Sequence, residues 1–339
     1  KRERALENYR VNTFKLVQQF KDHNINTILL TPSVYDQFSK TERENNLGCN
    51  DALEVCGTHL KHLSKKYKLP LIDLNKNMKS IMYEGLLKDS LFTIVGKDRV
   101  HPGVEGHFIM ASEILTALEP ESVVSEIVID TAKKHVKTQN NCEVNLKRID
   151  NEFLIFDCKE FALPFPIPKT VASVLDYTNF ENHFNKQQFK VNHLKKGVYR
   201  LIIDNKLIGN FSSKQLSQGV NLNTFKNTPQ YQQAQEVKKL CETYRKVAFK
   251  LRIIPFIKTR FLRDYKGDHS YDNLTLYLEK QLKDIAGKPF YNYMQISMQR
   301  YLETLPNKSS LKQQLETIQE SIYEYNKPVK REWSLLKVQ

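Results

Sequence analysis

Asp98 and His101 stand three residues apart in the string Asp98-Arg99-Val100-His101-Pro102, between two stretches whose apolar spacing is helical. A serine that attacks an ester needs an imidazole to take its hydroxyl proton. It also needs a carboxylate that holds the imidazole in the right tautomer and stabilises its charged form. A separation of three inside a tight turn lets one loop deliver both groups. The same residues also suit a plainer role, because Asp and Pro routinely build the turn and first position of a helix start.

For the pair to act, its loop must lie at the carboxyl end of a sheet, where ligands of open α/β folds bind. The preceding residues read as such a sheet with its covering helices. Leu6, Tyr9, Thr13, Leu16, Val17 and Phe20 recur on one face of a 3.6-residue period, an amphipathic helix over Ala5 to Phe20. Asn26 to Thr31, closed by Pro32, is short and apolar on both faces, as a buried parallel strand is. Polar Ser39 to Asn50 reads as a loop, Asp51 to Tyr67 as a helix capped by Asn50 or Asp51, and Leu69 to Asp73 as a second buried strand. A third helix spans about 75–87, and a fourth follows the Asp98–His101 loop through Val104, Phe108, Ala111, Leu115 and Leu118. Helix and strand in alternation imply crossover connections and a parallel sheet, the α/β class.

A chain of 339 residues is better divided into two units than packed as one. Pro120 and the polar stretch from Glu121 to Asn141 break the alternation, which places a boundary near residue 125. Beyond it come the apolar run Glu152 to Asp157, the proline-rich Leu163 to Pro168 and a hairpin. In the hairpin, Tyr199 to Ile203 and Lys206 to Gly209 flank Asp204-Asn205, two residues that tolerate positive φ. Thr228-Pro229 opens a long helix with the apolar stripe Val237, Leu240, Cys241, Tyr244, Val247, Ala248 and Leu251, and Pro255 should end or kink it. Helices near 272–286 and 311–325 complete an α+β region over 126–339.

The balance of 52 Lys+Arg against 38 Asp+Glu gives +14, but the lysines are dispersed and no zinc-finger, RRM-type or helix-turn-helix signature accompanies them. Nucleic acid is therefore not an expected partner. No apolar run approaches the roughly 18 to 20 residues of a membrane span. Five cysteines are too few and too irregularly spaced for a disulfide scaffold or a zinc ribbon. Cys49 and Cys56 are near enough to pair, yet Cys56 shares a helical stripe with Leu53, Leu60, Leu63 and Tyr67, which places it in the core.

The longer string Asp98-Arg99-Val100-His101-Pro102-Gly103-Val104-Glu105-Gly106-His107 resembles the Asp-x-x-His-Pro-x-x-x-Gly-[His/Tyr] block of SGNH (GDSL-type) ester hydrolases, and the helices and strands ahead of it match in order. The resemblance implies part of a three-layer α/β/α flavodoxin-like sheet over residues 1–125. It makes Asp98 the orienting carboxylate and His101 the general base, with Gly106 allowing close helix packing and His107 structural. In that family the serine, and the glycine and asparagine that donate to the oxyanion, lie in blocks that would precede Lys1. The 339 residues alone are then expected to be inactive. Lys88-Asp89-Ser90-Leu91 imitates the serine block but lacks its glycine and stands in the wrong place. Gly197 to Phe211, Gln218 to Leu222 and Thr228 to Val237 resemble an extension found after the catalytic domain in some bacterial members.

The implied substrate is a small-molecule or carbohydrate ester, with no metal or organic cofactor, in a secreted or periplasmic bacterial enzyme. The competing expectation is a non-catalytic protein with a degenerate SGNH fold that binds a glycan or an anionic partner through its basic and aromatic residues. The single tryptophan, Trp333, is a poor start for a sugar-stacking platform, and the sixteen tyrosines would have to substitute for it.

Overall fold

The structure, a computed structural model, describes residues 1–118 and 123–338, so Pro120 and Glu121, which marked the expected boundary, lie outside the described residues. The chain is mixed α/β, about 50% helix and 20% strand in several sheets. It forms two compact units, one of Lys1–Val124 with Ile167–Gln187, the other of Ser125–Pro166 with Gln188–Gln339. Residues 167–187, which the sequence reading gave to a continuous 126–339 region, therefore belong with the first unit.

In the first unit, α1 (Arg2–Asp22), β1 (Leu29–Leu30), α2 (Cys49–Tyr67), β2 (Leu71–Ile72), α3 (Leu74–Leu86) and α4 (Val104–Leu118) follow in the expected order. The strands pair in parallel, Leu29 opposite Leu71 and Leu30 opposite Ile72. Successive strand residues point to opposite faces, and each face has its own core. Leu29 packs with Val17 of α1 and with Leu60 and Leu63 of α2. Ile72 packs with Met78 and Ile81 of α3 and Ile109 of α4. Val171 and Val174, the latter on the short α5 (Ala172–Leu175), join this second core, and Phe108 meets Phe180 at the start of α6 (Phe180–His183). Complete burial of a side chain such as Met78 contributes about 1.5–3 kcal/mol.

Two local expectations are corrected. The strand expected over 26–31 is regular only at its end. α2 begins at Cys49, after Gly48 in a left-handed conformation, and neither Asn50 nor Asp51 is its cap. Asn50 is buried, accepting from the Tyr35 amide and from Asn75 Nδ2. Asp73, by contrast, caps α3 by accepting from the Lys76 amide.

The second unit holds two antiparallel sheets and a set of helices. The strands are β3 (Val123–Asp130), β4 (His135–Asn140), β5 (Cys142–Ile149), β6 (Phe153–Glu160), β7 (Lys186–Asn192), β8 (Val198–Ile203), β9 (Lys206–Ser212), β10 (Val220–Asn221) and β11 (Lys330–Lys337). One sheet has the order β10-β7-β3-β4, the other β5-β6-β11-β8-β9. Their facing apolar residues, Ile127, Ile129, Phe189 and Val191 on one side and Phe156, Leu201, Trp333 and Leu335 on the other, form one core. After β9 comes α7 (Ser213–Gln218), and between β10 and β11 the chain forms α8 (Pro229–Leu251), α9 (Ile253–Phe261), α10 (Tyr271–Asp284), α11 (Tyr291–Thr304) and α12 (Lys308–Tyr325). Thr228 caps α8 through its side chain, as read. That helix ends at Leu251, four residues before Pro255, the carbonyl with which a proline ring clashes. Cys241, assigned to the apolar stripe of α8, is exposed.

Candidate active site

The Asp98–His101 loop is a narrow turn held at its base. Val95 and Pro102 form an antiparallel bridge. The Gly96 amide donates to the His101 carbonyl at 2.6 Å, Gly103 to Ile94 at 3.0 Å, and Arg99 to Gly96 at 2.9 Å. Gly106 on α4 is what lets this turn lie against the helix. A Cβ there would fall 2.2 Å from the Ile94 carbonyl oxygen and 2.9 Å from Pro102 Cβ.

Within the turn, the two oxygens of Asp98 have separate partners. Its Oδ1 accepts from the Val100 and His101 amides at 3.1 and 3.0 Å, closing the turn. Its Oδ2 is hydrogen-bonded to His101 Nδ1. The imidazole bond, then the two backbone amides, hold the Asp98 carboxyl well below the usual carboxylate range. It is therefore anionic at neutral pH, the state that stabilises an imidazolium. The His101 side chain is 83% exposed, and among the described residues no side chain hydrogen-bonds its Nε2. That nitrogen faces solvent with its partner already set on the other side of the ring. His107 is exposed on α4, and Ser90 of the imitation block lends its backbone carbonyl to the Lys40 amide.

Arg99, between the two, was not singled out from the sequence. It has φ of 67°, a left-handed conformation that costs a residue with a Cβ about 1 kcal/mol or more. The residue is 3% exposed, and its guanidinium pairs with no carboxylate among the described residues. Instead Nε donates to the Arg43 carbonyl at 3.0 Å, Nη1 to those of Asp36 and Ser39 at 3.0 and 3.2 Å, and Nη2 to that of Thr41 at 3.4 Å. The Asp36 amide returns a bond to the Arg99 carbonyl at 2.9 Å. Asp36 in turn accepts from the Ser39 hydroxyl and from the Ser39 and Phe38 amides. Burial opposes ionisation of Asp36, but the bonds from Ser39, Thr93 and Phe38 outweigh it and lower its pKa. In this loop Phe38 packs on Tyr83 of α3, ring centroids 5.0 Å apart, with Lys79 Nζ 5.7 Å from the Tyr83 ring.

No family model matches the chain, and no curated protein matches it. A solved structure described as BT4096, a gut microbial diltiazem-metabolizing enzyme, is similar over 98% of this chain and 78% of its own. The two share 25% sequence identity, with a TM-score of 0.84.

Proposed function

We propose that the chain is part of a carboxylic ester hydrolase of the SGNH (GDSL-type) family, with Asp98 and His101 as the acid–base half of a Ser-His-Asp site and the first unit as part of the family's α/β/α sheet. The observation that carries this is the ionised Asp98 carboxylate on Nδ1 of an imidazole whose Nε2 is open to solvent. The neighbour's description as an enzyme acting on diltiazem, a molecule with an ester linkage, supports it.

In this reading a serine upstream of Lys1 approaches Nε2. As its oxygen attacks the ester carbonyl, His101 takes the hydroxyl proton and Asp98 stabilises the imidazolium. When the tetrahedral intermediate collapses, His101 hands that proton to the departing alcohol and an acyl-serine remains. Water, deprotonated by the same nitrogen, then releases the acid and restores the serine. Backbone donors near the serine would hold the oxyanion, commonly the largest contribution to rate.

The test uses the full-length gene product. It must carry a Gly-Asp-Ser block upstream and hydrolyse 4-nitrophenyl acetate, and His101→Ala must abolish turnover. Undiminished turnover in that variant rejects the assignment.

A second reading, anion or glycan binding without catalysis, has one feature in its favour. A groove of about 690 Å³ between α8, α9, α11 and α12 is lined by Lys250, Arg252 and Arg300 together with Phe249 and Tyr293. None of the three cations pairs with a carboxylate among the described residues. Trp333 contributes nothing to such a surface, being fully buried against Phe156 and Phe189. Binding of a sulfated glycan by wild type, lost in Arg252→Gln/Arg300→Gln, alongside a serine-free upstream sequence, would establish this reading instead.

A further inference from the structure

Arg99 poses a question of cost. A charged residue sits in a conformation that glycine adopts freely, with its guanidinium withdrawn from solvent. Both penalties are offset by one thing, the four carbonyls of loop 36–43 that receive its planar fork. The residue that separates the two members of the pair is thus also the anchor of a loop 56 to 63 residues away in sequence.

That loop is not featureless. Asp36 bonds the Arg99 backbone and Ser39 receives its side chain, so Phe38 is fixed between two anchored residues. Two residues of chain span at most about 7 Å. Phe38, two residues from Asp36, and His101, two from Arg99, therefore both start within that distance of the Asp36–Arg99 hydrogen bond. Phe38 is 45% exposed and Tyr83, its ring partner, 41% exposed, leaving an aromatic surface open on the side of the loop that carries them.

We propose that Arg99 is a positioning residue that locks loop 36–43 beside the Asp98–His101 turn, and that it thereby holds Phe38, backed by Tyr83, as an apolar wall selecting esters with a flat aromatic or apolar group. The proposal rests on the hydrolase reading for the role of the wall and on geometry alone for the lock.

Arg99→Gly is the informative variant, because glycine keeps the left-handed turn without strain and removes only the fork. Amide hydrogen exchange on the present chain should rise about 10-fold or more at Asp36, Ser39 and Lys40, while the α2 core amides at Leu60 and Leu63 stay protected and report an intact fold. Arg99→Lys, which restores a charge but not the fork, should recover only part of that protection.

In the full-length protein, Phe38→Ala should lower kcat/KM for 2-naphthyl acetate about 10-fold, mainly through KM, and leave ethyl acetate nearly unchanged. Arg99→Gly should compress the same selectivity ratio. Unchanged exchange in Arg99→Gly, or an unchanged ratio in Phe38→Ala with normal wild-type turnover, overturns this proposal while sparing the hydrolase reading. Absence of all ester hydrolysis by wild type overturns that reading and the selective role of Phe38 with it.

Discussion

Replacing Gly106 by alanine sets a local preference against a packing limit, and the structure indicates which wins. On an isolated helix the change favours folding by about 1 kcal/mol, since glycine has more backbone entropy to lose. Here the added Cβ would lie 2.2 Å from the Ile94 carbonyl oxygen. A carbon–oxygen contact is comfortable at about 3.3 Å or more, so the overlap is roughly 1 Å. The oxygen has little room to retreat, because Ile94 is fully buried and its carbonyl holds the Gly103 amide at 3.0 Å. Overpacking of this kind costs about 1–3 kcal/mol, and an encounter with backbone belongs at the upper end.

The net expectation is a loss of about 1–2 kcal/mol in urea unfolding of the Gly106→Ala variant, after the helix preference is deducted. Part of the strain will be relieved by moving the 94–103 turn, and under the proposed hydrolase mechanism a displacement of His101 by about 1 Å is enough to lower turnover of the full-length protein about 100-fold. Gly57→Ala on α2 is the matched control. Its Cβ would meet Thr31 Cγ2 at 3.5 Å, an ordinary contact, so stability should hold or rise by up to about 1 kcal/mol. If the two variants behave alike in denaturation, and Gly106→Ala in the full-length protein turns over at the wild-type rate, the inference that this glycine seats the turn is wrong.

Asp98→Asn keeps the turn but removes the charge on Nδ1, and hydrolysis by the full-length protein should fall about 10⁴-fold with KM little changed. Because the folded Asp98 carboxyl is depressed, chiefly by the His101 bond, its contribution is complete above the ordinary aspartate value of about 3.9 and fades only as pH falls through the lower folded one. Exchange protection of the Val100 and His101 amides should therefore persist at pH 4, and its loss there would contradict the assignment. Trp333→Ala removes the largest fully buried side chain and should cost about 3–5 kcal/mol in denaturant unfolding. Iodoacetamide on the native chain should label Cys49 and Cys241, which are exposed, and spare Cys56, Cys142 and Cys158, as peptide mass spectrometry will show.

What could be read in the sequence was what neighbours in sequence decide. The hairpin at Asp204-Asn205 was legible because both residues must take positive φ, and they do, at 46° and 61°. The ends of α8 were legible because Thr228 caps and Pro255 forbids continuation within four residues. The pairing of Asp98 with His101 belongs to the same class, since one turn contains it.

What was missed depends on partners far along the chain. β11 carries only Trp333 and Leu335 on its inward face, too little alternation to announce a strand, yet it pairs with both β6 and β8 at the middle of its sheet. Likewise the stretch from Glu121 to Asn141, which reads as a polar break in the pattern, holds β3 and β4, and most of β4 faces water. Arg99 is the sharpest instance. Nothing in its neighbours says that a left-handed arginine is tolerable there, and the reason lies in carbonyls contributed by residues 36 to 43. A local motif can therefore reveal which groups meet, while the loop anchored beside them is set by contacts that no short string contains.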